Sequence, residues 1–302
     1  MAVMERALNC MNRRTFLKRL FGGIITLFGL SGGTYYYARE IEPNMLDVHD
    51  VNIYSSKTPS AFEGYKILQF SDTHIGFQYT IDQLEELVVK MNQLEPDLIV
   101  FTGDLIDNPR TYHIDERLIS TLGRLKARGG KFWIYGNHDH GGYGTDILMD
   151  VFQQSGFELL QNGHRQIDKN GDMIYLAGLD DALLGRPDIK QALDGISNEQ
   201  LTILLAHEPD YADVTKDYPV DIQLSGHSHG GQVQIPFIGY IYTPHLAQKY
   251  VEGAYEIGSH PLQLFVSRGV GTTRLPYRFF CKPEITMYQL KKSWNCKKFY
   301  EN

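Results

Sequence analysis

The sequence predicts an α/β (α+β) fold with two packed sheets flanked by helices, all in one domain. Two observations carry this expectation. Strand-like apolar runs recur at 66–71, 97–102, 131–135, 173–178, 201–206, 221–225, 262–267 and 284–290, and helical patterns separate the early ones. The first half is thus βαβαβ-like and the second strand-dominated, a mixture satisfied by two sheets in contact. With 302 residues, 42% hydrophobic and 22% charged, the chain can build one large core and lacks the signature of disorder.

Residues 1–40 read as an address. Asn12-Arg13-Arg14-Thr15-Phe16-Leu17-Lys18 precedes a moderately apolar, glycine-containing stretch over 21–30. This pattern resembles a bacterial twin-arginine export signal, which implies the twin-arginine translocase as a partner. It also implies residence at the cell wall or the outer face of the membrane. Glycines at 22, 23, 29, 32 and 33 disfavour the alternative, an amphipathic helix opening the domain. Tyr35-Tyr36-Tyr37 occupies the place of a small-residue cleavage site. The signal is therefore expected either to be cut near Ala38 or to stay as an anchor, with Met11 as an alternative start.

Residues 41–64, broken by Pro, Ser and Asn, read as a linker and an edge strand, Val51-Asn52-Ile53-Tyr54. The body spans 65–290. Its first helices follow from Ile81, Leu84, Leu87, Val88 and Met91, and from Ile114, Leu118, Leu122 and Leu125, each set recurring at three to four residues. Residues 291–302 form a basic, polar tail expected to fray. Lys291, Lys292, Lys297 and Lys298 there read as a solvated end or as a contact for an anionic wall polymer.

Charge is unevenly placed. Residues 1–40 carry six Lys/Arg against two Glu, a net +4, which leaves −11 on the rest of a chain whose formal charge is −7. An acidic body without an arginine-rich stripe argues against a general nucleic-acid binder. Cys10, Cys281 and Cys296 lack metal-type spacing. The last two are read either as a disulfide formed after export or as free thiols.

Five short clusters carry the chemistry: Asp72-Thr73-His74, Gly103-Asp104, Gly136-Asn137-His138-Asp139, His207 and Gly226-His227-Ser228-His229. All but the lone histidine follow an apolar run where it meets a turn, so parallel strands would bring them to one rim. Asp72 and His74, like His227 and His229, stand two apart and would share a side in an extended segment. The glycines permit close backbone approach. Imidazoles, carboxylates and one amide are donors for a pair of divalent first-row metals, with Mn, Fe and Zn equally suited.

Together with Asp107, these motifs resemble those of the calcineurin-like metallophosphoesterase family over roughly residues 64–290, with none missing. The resemblance implies a four-layer α-β-β-α sandwich. It also implies that Asp72, His74 and His229 hold one ion, that Asn137, His207 and His227 hold the other, and that Asp104 bridges them. A metal-bridged hydroxide would then attack phosphate in line. His138 would protonate the leaving oxygen or steady the transition state, with Asp139 orienting it through a hydrogen bond. Asp107 reads equally as a similar partner and as a turn residue before Asn108-Pro109.

Arg268, Arg274 and Arg278 are candidates for a second phosphate clamp, against the alternative of ordinary surface arginines. His140, opening a Gly-rich loop beside His138, is a further candidate for substrate contact. Asp180-Asp181 reads first as a turn. The expected substrate is a phosphate ester, with diesters or pyrophosphates ahead of monoesters. Export points to a wall polymer or a lipid-linked precursor. A metal-binding scaffold without turnover is the alternative, and His138 argues against it because a scaffold needs no acid.

Overall fold

Alternation within the short apolar strands decides how the layers stack. The protein, seen here in a computed structural model, is described over residues 14, 18, 31–114, 116–140, 146–259 and 261–293. The strands of its first half are β1 (Asp47–Ser55), β2 (Lys66–Phe70), β3 (Leu98–Phe101), β4 (Lys131–Trp133) and β5 (Glu158–Leu159). There follow β6 (Gly163–Lys169), β7 (Asp172–Gly178), β8 (Thr202–Leu205) and β9 (Ile222–Ser225). The last are β10 (Gln234–Ile235), β11 (Gly239–Tyr240), β12 (Gly253–Ile257), β13 (Leu262–Val266) and β14 (Glu284–Lys292).

These strands form two six-stranded sheets, ordered β1-β14-β2-β3-β4-β5 and β12-β13-β9-β8-β7-β6, while β10 and β11 make a separate hairpin. On β2 and β3, Leu68, Phe70, Ile99 and Phe101 face an outer core with Leu84, Leu87, Val88 and Met91 of the helix Ile81–Gln93. Ile67, Leu98 and Val100 point the other way, onto Ile174, Ile203, Leu205 and Leu224 of the second sheet. A third core covers the far face of that sheet with Ile189, Ala192 and Ala212 from short helices. Three cores between four layers make the α-β-β-α sandwich, and strands buried on both faces explain the unbroken apolar runs. The first helix starts where Thr80 and Gln83 form a reciprocal capping box.

β2, β3 and β4 are mutually parallel, as are β8, β9 and β13. Their carboxyl ends therefore open on one rim. Three elements depart from the sequence expectation. β6 reads Gly-His-Arg-Gln-Ile-Asp-Lys, too polar to register as an apolar run, yet it pairs with β7 along its whole length. β12 is missed for the same reason. β14 continues through Lys291 and Lys292, which pair with Tyr54 and Ser55, so the fray expected from 291 does not begin there. The signal expected over 12–30 lies, apart from Arg14 and Lys18, outside the described residues, as does Cys296. Among the described residues no helix is long and apolar enough to cross a membrane.

Candidate metal centre

The residues that follow β2, β3, β4, β8 and β9 converge in a buried cluster. Ligand atoms of Asp72, His74 and His229 lie within 4.8 Å of one another, as do those of Asp104, His207 and His227. His74 Nε2 and His229 Nε2 are 3.0 Å apart. Asp104 stands between the two groups, its Oδ2 3.5 Å from His74 Nε2 and 3.3 Å from His207 Nε2. Its other oxygen accepts the His138 backbone N–H at 2.8 Å, which aims Oδ2 into the gap.

Extension does not gather these side chains. Asp72, His74, Asp104, His227 and His229 all have positive φ, between 45° and 67°. The two i, i+2 pairs converge through left-handed turns, a conformation that costs a non-glycine residue on the order of 1 kcal/mol or more. Close approach fixes Gly103 and Gly136. A Cβ on Gly103, which has φ 101°, would fall 2.5 Å from His207 Nδ1, and one on Gly136 would overlap Asp104 Oδ1.

Outer hydrogen bonds set the imidazole tautomers. Thr102 O accepts from His207 Nδ1 at 2.6 Å, and His245 O accepts from His227 Nε2 at 2.9 Å. His74 Nδ1 lies 3.2 Å from Asp107 Oδ1. The opposite nitrogens of His74 and His207 face the gap beside Asp104 Oδ2, an arrangement typical of metal-ligating imidazoles. Burial, with His207 nearby, pushes His227 down to about 3, and burial with His74 holds His229 well below the ordinary range. Burial opposes ionisation of Asp104, but His207, His138 and His74 outweigh it and hold the carboxyl well below its usual value. Asn137 Oδ1 and His207 Nε2 are buried without a hydrogen-bond partner. Buried, unpaired ligand atoms beside imidazoles and a carboxylate fit a pair of divalent ions, whose binding would displace the proton that Asp104, against burial, favours on His207.

His138 turns its ring toward the same space. Its Nδ1 is held at 2.6 Å by Asp107 O, and its ring meets His74 edge-on at a centroid distance of 4.5 Å. Asp139 does not orient it as the sequence led us to expect. The Asp139 carboxylate instead accepts backbone N–H bonds from Asp104 (2.6 Å), Leu105 (2.8 Å) and Gly136 (3.1 Å). It shapes the loop that carries Asp104, while Asp107 supplies the contacts to both His74 and His138.

A cavity of about 420 Å³ opens over the cluster, with Asp104, Asn137, His138 and His229 on its floor. Of the three candidate arginines only Arg274 lines it, its Nη1 2.5 Å from Tyr242 Oη. Arg268 is tied to Glu284 at 2.6 Å. Arg278 is fully buried and donates to the carbonyls of Arg268, Gly269, Gly271 and Cys281. Both guanidiniums are thus occupied inside the protein and make no clamp. His140 is outside the cavity lining, 3.8 Å from Asp180 Oδ1. Asp180 accepts from the Asp181 and Arg186 backbones, as a turn residue does. Cys281 is buried with its thiol donating to His229 O. Sequence reasoning missed Gln232 and Tyr242 of the cavity wall. It also missed the carbonyls of Thr102 and His245, because a backbone group leaves no residue-type signal.

The calcineurin-like phosphoesterase model matches residues 65–231. The chain belongs to that family. This calcineurin-like phosphoesterase is 47% identical over 284 residues to the uncharacterized metallophosphoesterase YkuE of Bacillus subtilis (strain 168), covering 94% of this chain and 99% of that one. It is 28% identical over 310 residues to the UDP-2,3-diacylglucosamine pyrophosphatase LpxG of Chlamydia muridarum (strain MoPn / Nigg), covering 83% and 91%. A dimetal phosphatase from Danio rerio aligns with a TM-score of 0.46 at 13% identity, covering 72% of this chain and 94% of that one. As a member of the family, the protein is a metal-dependent phosphoester hydrolase whose cofactor is two divalent ions.

Proposed function

We propose that the protein is exported and hydrolyses diester or pyrophosphate bonds of a wall polymer or a lipid-linked precursor. In this reading Asp72, His74 and His229 hold one ion, Asn137, His207 and His227 the other, and Asp104 bridges both. The two ions, when bound, acidify a water to make the nucleophile and neutralise the phosphate oxygens. The observation that carries the reading is His138. Asp107 O holds its Nδ1 proton, so Nε2 is the atom able to pass a proton to a leaving oxygen in the cavity. Arg274, the lining guanidinium, suits a second phosphate or another anionic group of a larger substrate. The likeness to a protein named a pyrophosphatase of a diacylated nucleotide sugar supports pyrophosphate and lipid-linked substrates. The twin-arginine pattern at Arg13-Arg14 supports export.

The test is metal-reconstituted activity on a panel of monoesters, diesters and pyrophosphates, with export followed for a chain carrying Arg13→Lys and Arg14→Lys. Turnover confined to monoesters would overturn the substrate class. Unchanged export of the double-lysine chain would overturn the route.

A further inference from the structure

Next to the metal centre the acidic protein presents an uncharged, apolar projection. Residues 230–248 contain no Asp, Glu, Lys or Arg, although the body carries a strong negative charge. Within them β10 and β11 form a hairpin whose tip is Pro236-Phe237-Ile238. Phe237 is fully exposed and Ile238 is 75% exposed, with Ile241, Tyr242 and Leu275 more than half exposed beside them. Contiguous apolar surface of this kind on a soluble protein marks an interaction site. Tyrosines 240 and 242 lie nearer the base and Phe and Ile at the tip, the order in which such side chains distribute across a membrane interface.

The hairpin is built into the cavity wall. Gln232 accepts the Thr273 N–H at 2.6 Å and donates to Thr273 O and Leu275 O, which joins the hairpin base to the Arg274 loop. Val233, Ile241 and Tyr242 line the same cavity as Asp104 and His138. The N-terminal segment reaches this same face. Phe279 pairs with Gln232 and Gln234 through backbone hydrogen bonds, and its ring meets Tyr37. Arg278 N–H donates to Ala38 O, and the buried Glu42 carboxylate accepts the Phe280 and Cys281 N–H groups. Residues 37–42 thus lie beside the hairpin, and the apolar stretch over 21–30 precedes them in sequence.

We infer that the β10–β11 hairpin seats the cavity mouth on a lipid bilayer, and that the enzyme takes phosphoesters with an apolar tail presented from that bilayer. Phe237 and Ile238 enter the interface. The phosphate of the substrate reaches the metal centre, and its tail follows Val233, Ile241 and Tyr242 back to the membrane. The substrate half of this inference rests on the phosphoester reading above. The docking half does not.

The experiment has two arms, both on the full chain. In the first, Phe237→Trp and, as a control on the helix Ile81–Gln93, Val89→Trp are mixed with phosphatidylcholine–phosphatidylglycerol vesicles containing brominated lipid. Relative to the unaltered chain, whose Trp133 and Trp294 set the background, the emission added by Phe237→Trp is expected to shift blue and be quenched, while that added by Val89→Trp is not. No quenching at 237, or equal quenching at both, overturns the inference. Emission of the Phe237→Trp chain that is already blue-shifted before lipid is added, with a dimer in sedimentation that Phe237→Ser/Ile238→Ser dissolves, means a second copy covers the hairpin and also overturns it. In the second arm the double-serine variant is assayed on CDP-diacylglycerol in vesicles and on water-soluble CDP-glycerol, which present the same bond with and without tails. Hydrolysis of the lipid is expected to fall roughly tenfold or more, since two apolar side chains lose their burial, with the soluble rate unchanged. Equal effects on both overturn the inference. If the unaltered enzyme cleaves neither probe, the pyrophosphate part of the substrate reading fails on its own and the tryptophan arm still decides the docking.

Discussion

Asp139→Asn separates two accounts of the residue after His138. In the structure the Asp139 Oδ2 accepts from Asp104 N and Gly136 N, and Oδ1 accepts from Leu105 N. An asparagine placed with its oxygen toward the first two turns its NH₂ against the Leu105 N–H. One buried donor then lacks an acceptor, which costs about 1–3 kcal/mol, and two charge-assisted bonds become ordinary ones. The sum is on the order of 3 kcal/mol, equivalent to roughly 5 °C in Tm for a chain of this size. Because the loop being loosened carries Asp104, metal affinity should fall with stability. The assay is thermal unfolding and metal content of the reconstituted variant, followed by kcat at saturating metal. A lower Tm, weaker metal binding and a kcat largely recovered by excess metal are expected. Unchanged Tm and metal content with kcat lost would refute this reasoning and return Asp139 to a direct role on the imidazole.

Four further outcomes follow from the same geometry. His138→Ala should keep both ions, measured by metal analysis, while kcat falls about 10²- to 10⁴-fold on substrates with poor leaving groups. The loss should be smallest for a nitrophenol leaving group. Gly136→Ala places a methyl group on Asp104 Oδ1, so it should abolish tight metal binding while circular dichroism still reports a folded chain. Arg274→Ala should raise KM for a substrate with a second anionic group more than for a small chromogenic diester. Arg278→Ala should instead lower Tm, because it leaves buried carbonyls unpaired.

Central strands and the metal-binding clusters were legible for a common reason. Runs such as Leu98-Ile99-Val100-Phe101 are buried on both faces, and polar residues placed directly after them have little choice of location. The polar edge strands β6 and β12 were not legible, because pairing along an edge asks little of the side chains. Arginine carried the least information. Arg268, Arg274 and Arg278 look alike in sequence, yet only tertiary contacts decide which one meets carboxylate, cavity or backbone carbonyls. Asp139 was expected to orient His138 and instead holds the Asp104 loop, while Asp107, read equally as a partner and as a turn residue, makes the contact. Which carboxylate faces the imidazole depends on how the helix Asn137–His140 sits against the loop after the left-handed Asp104. An i, i+1 spacing does not reveal that packing.

The cluster also straddles the two sheets. Asp72, His74, Asp104 and Asn137 follow strands of the first sheet, whereas His207, His227 and His229 follow strands of the second. His74 and His229 meet across 155 residues of sequence. An ion held by both sets is therefore a clasp between the two halves of the sandwich. Its escape into the cavity requires donors from both halves to let go, a step that parting of this rim would speed. Metal exchange, followed with an isotope under native conditions, would then track opening of the sheet interface more closely than the strength of any one ligand.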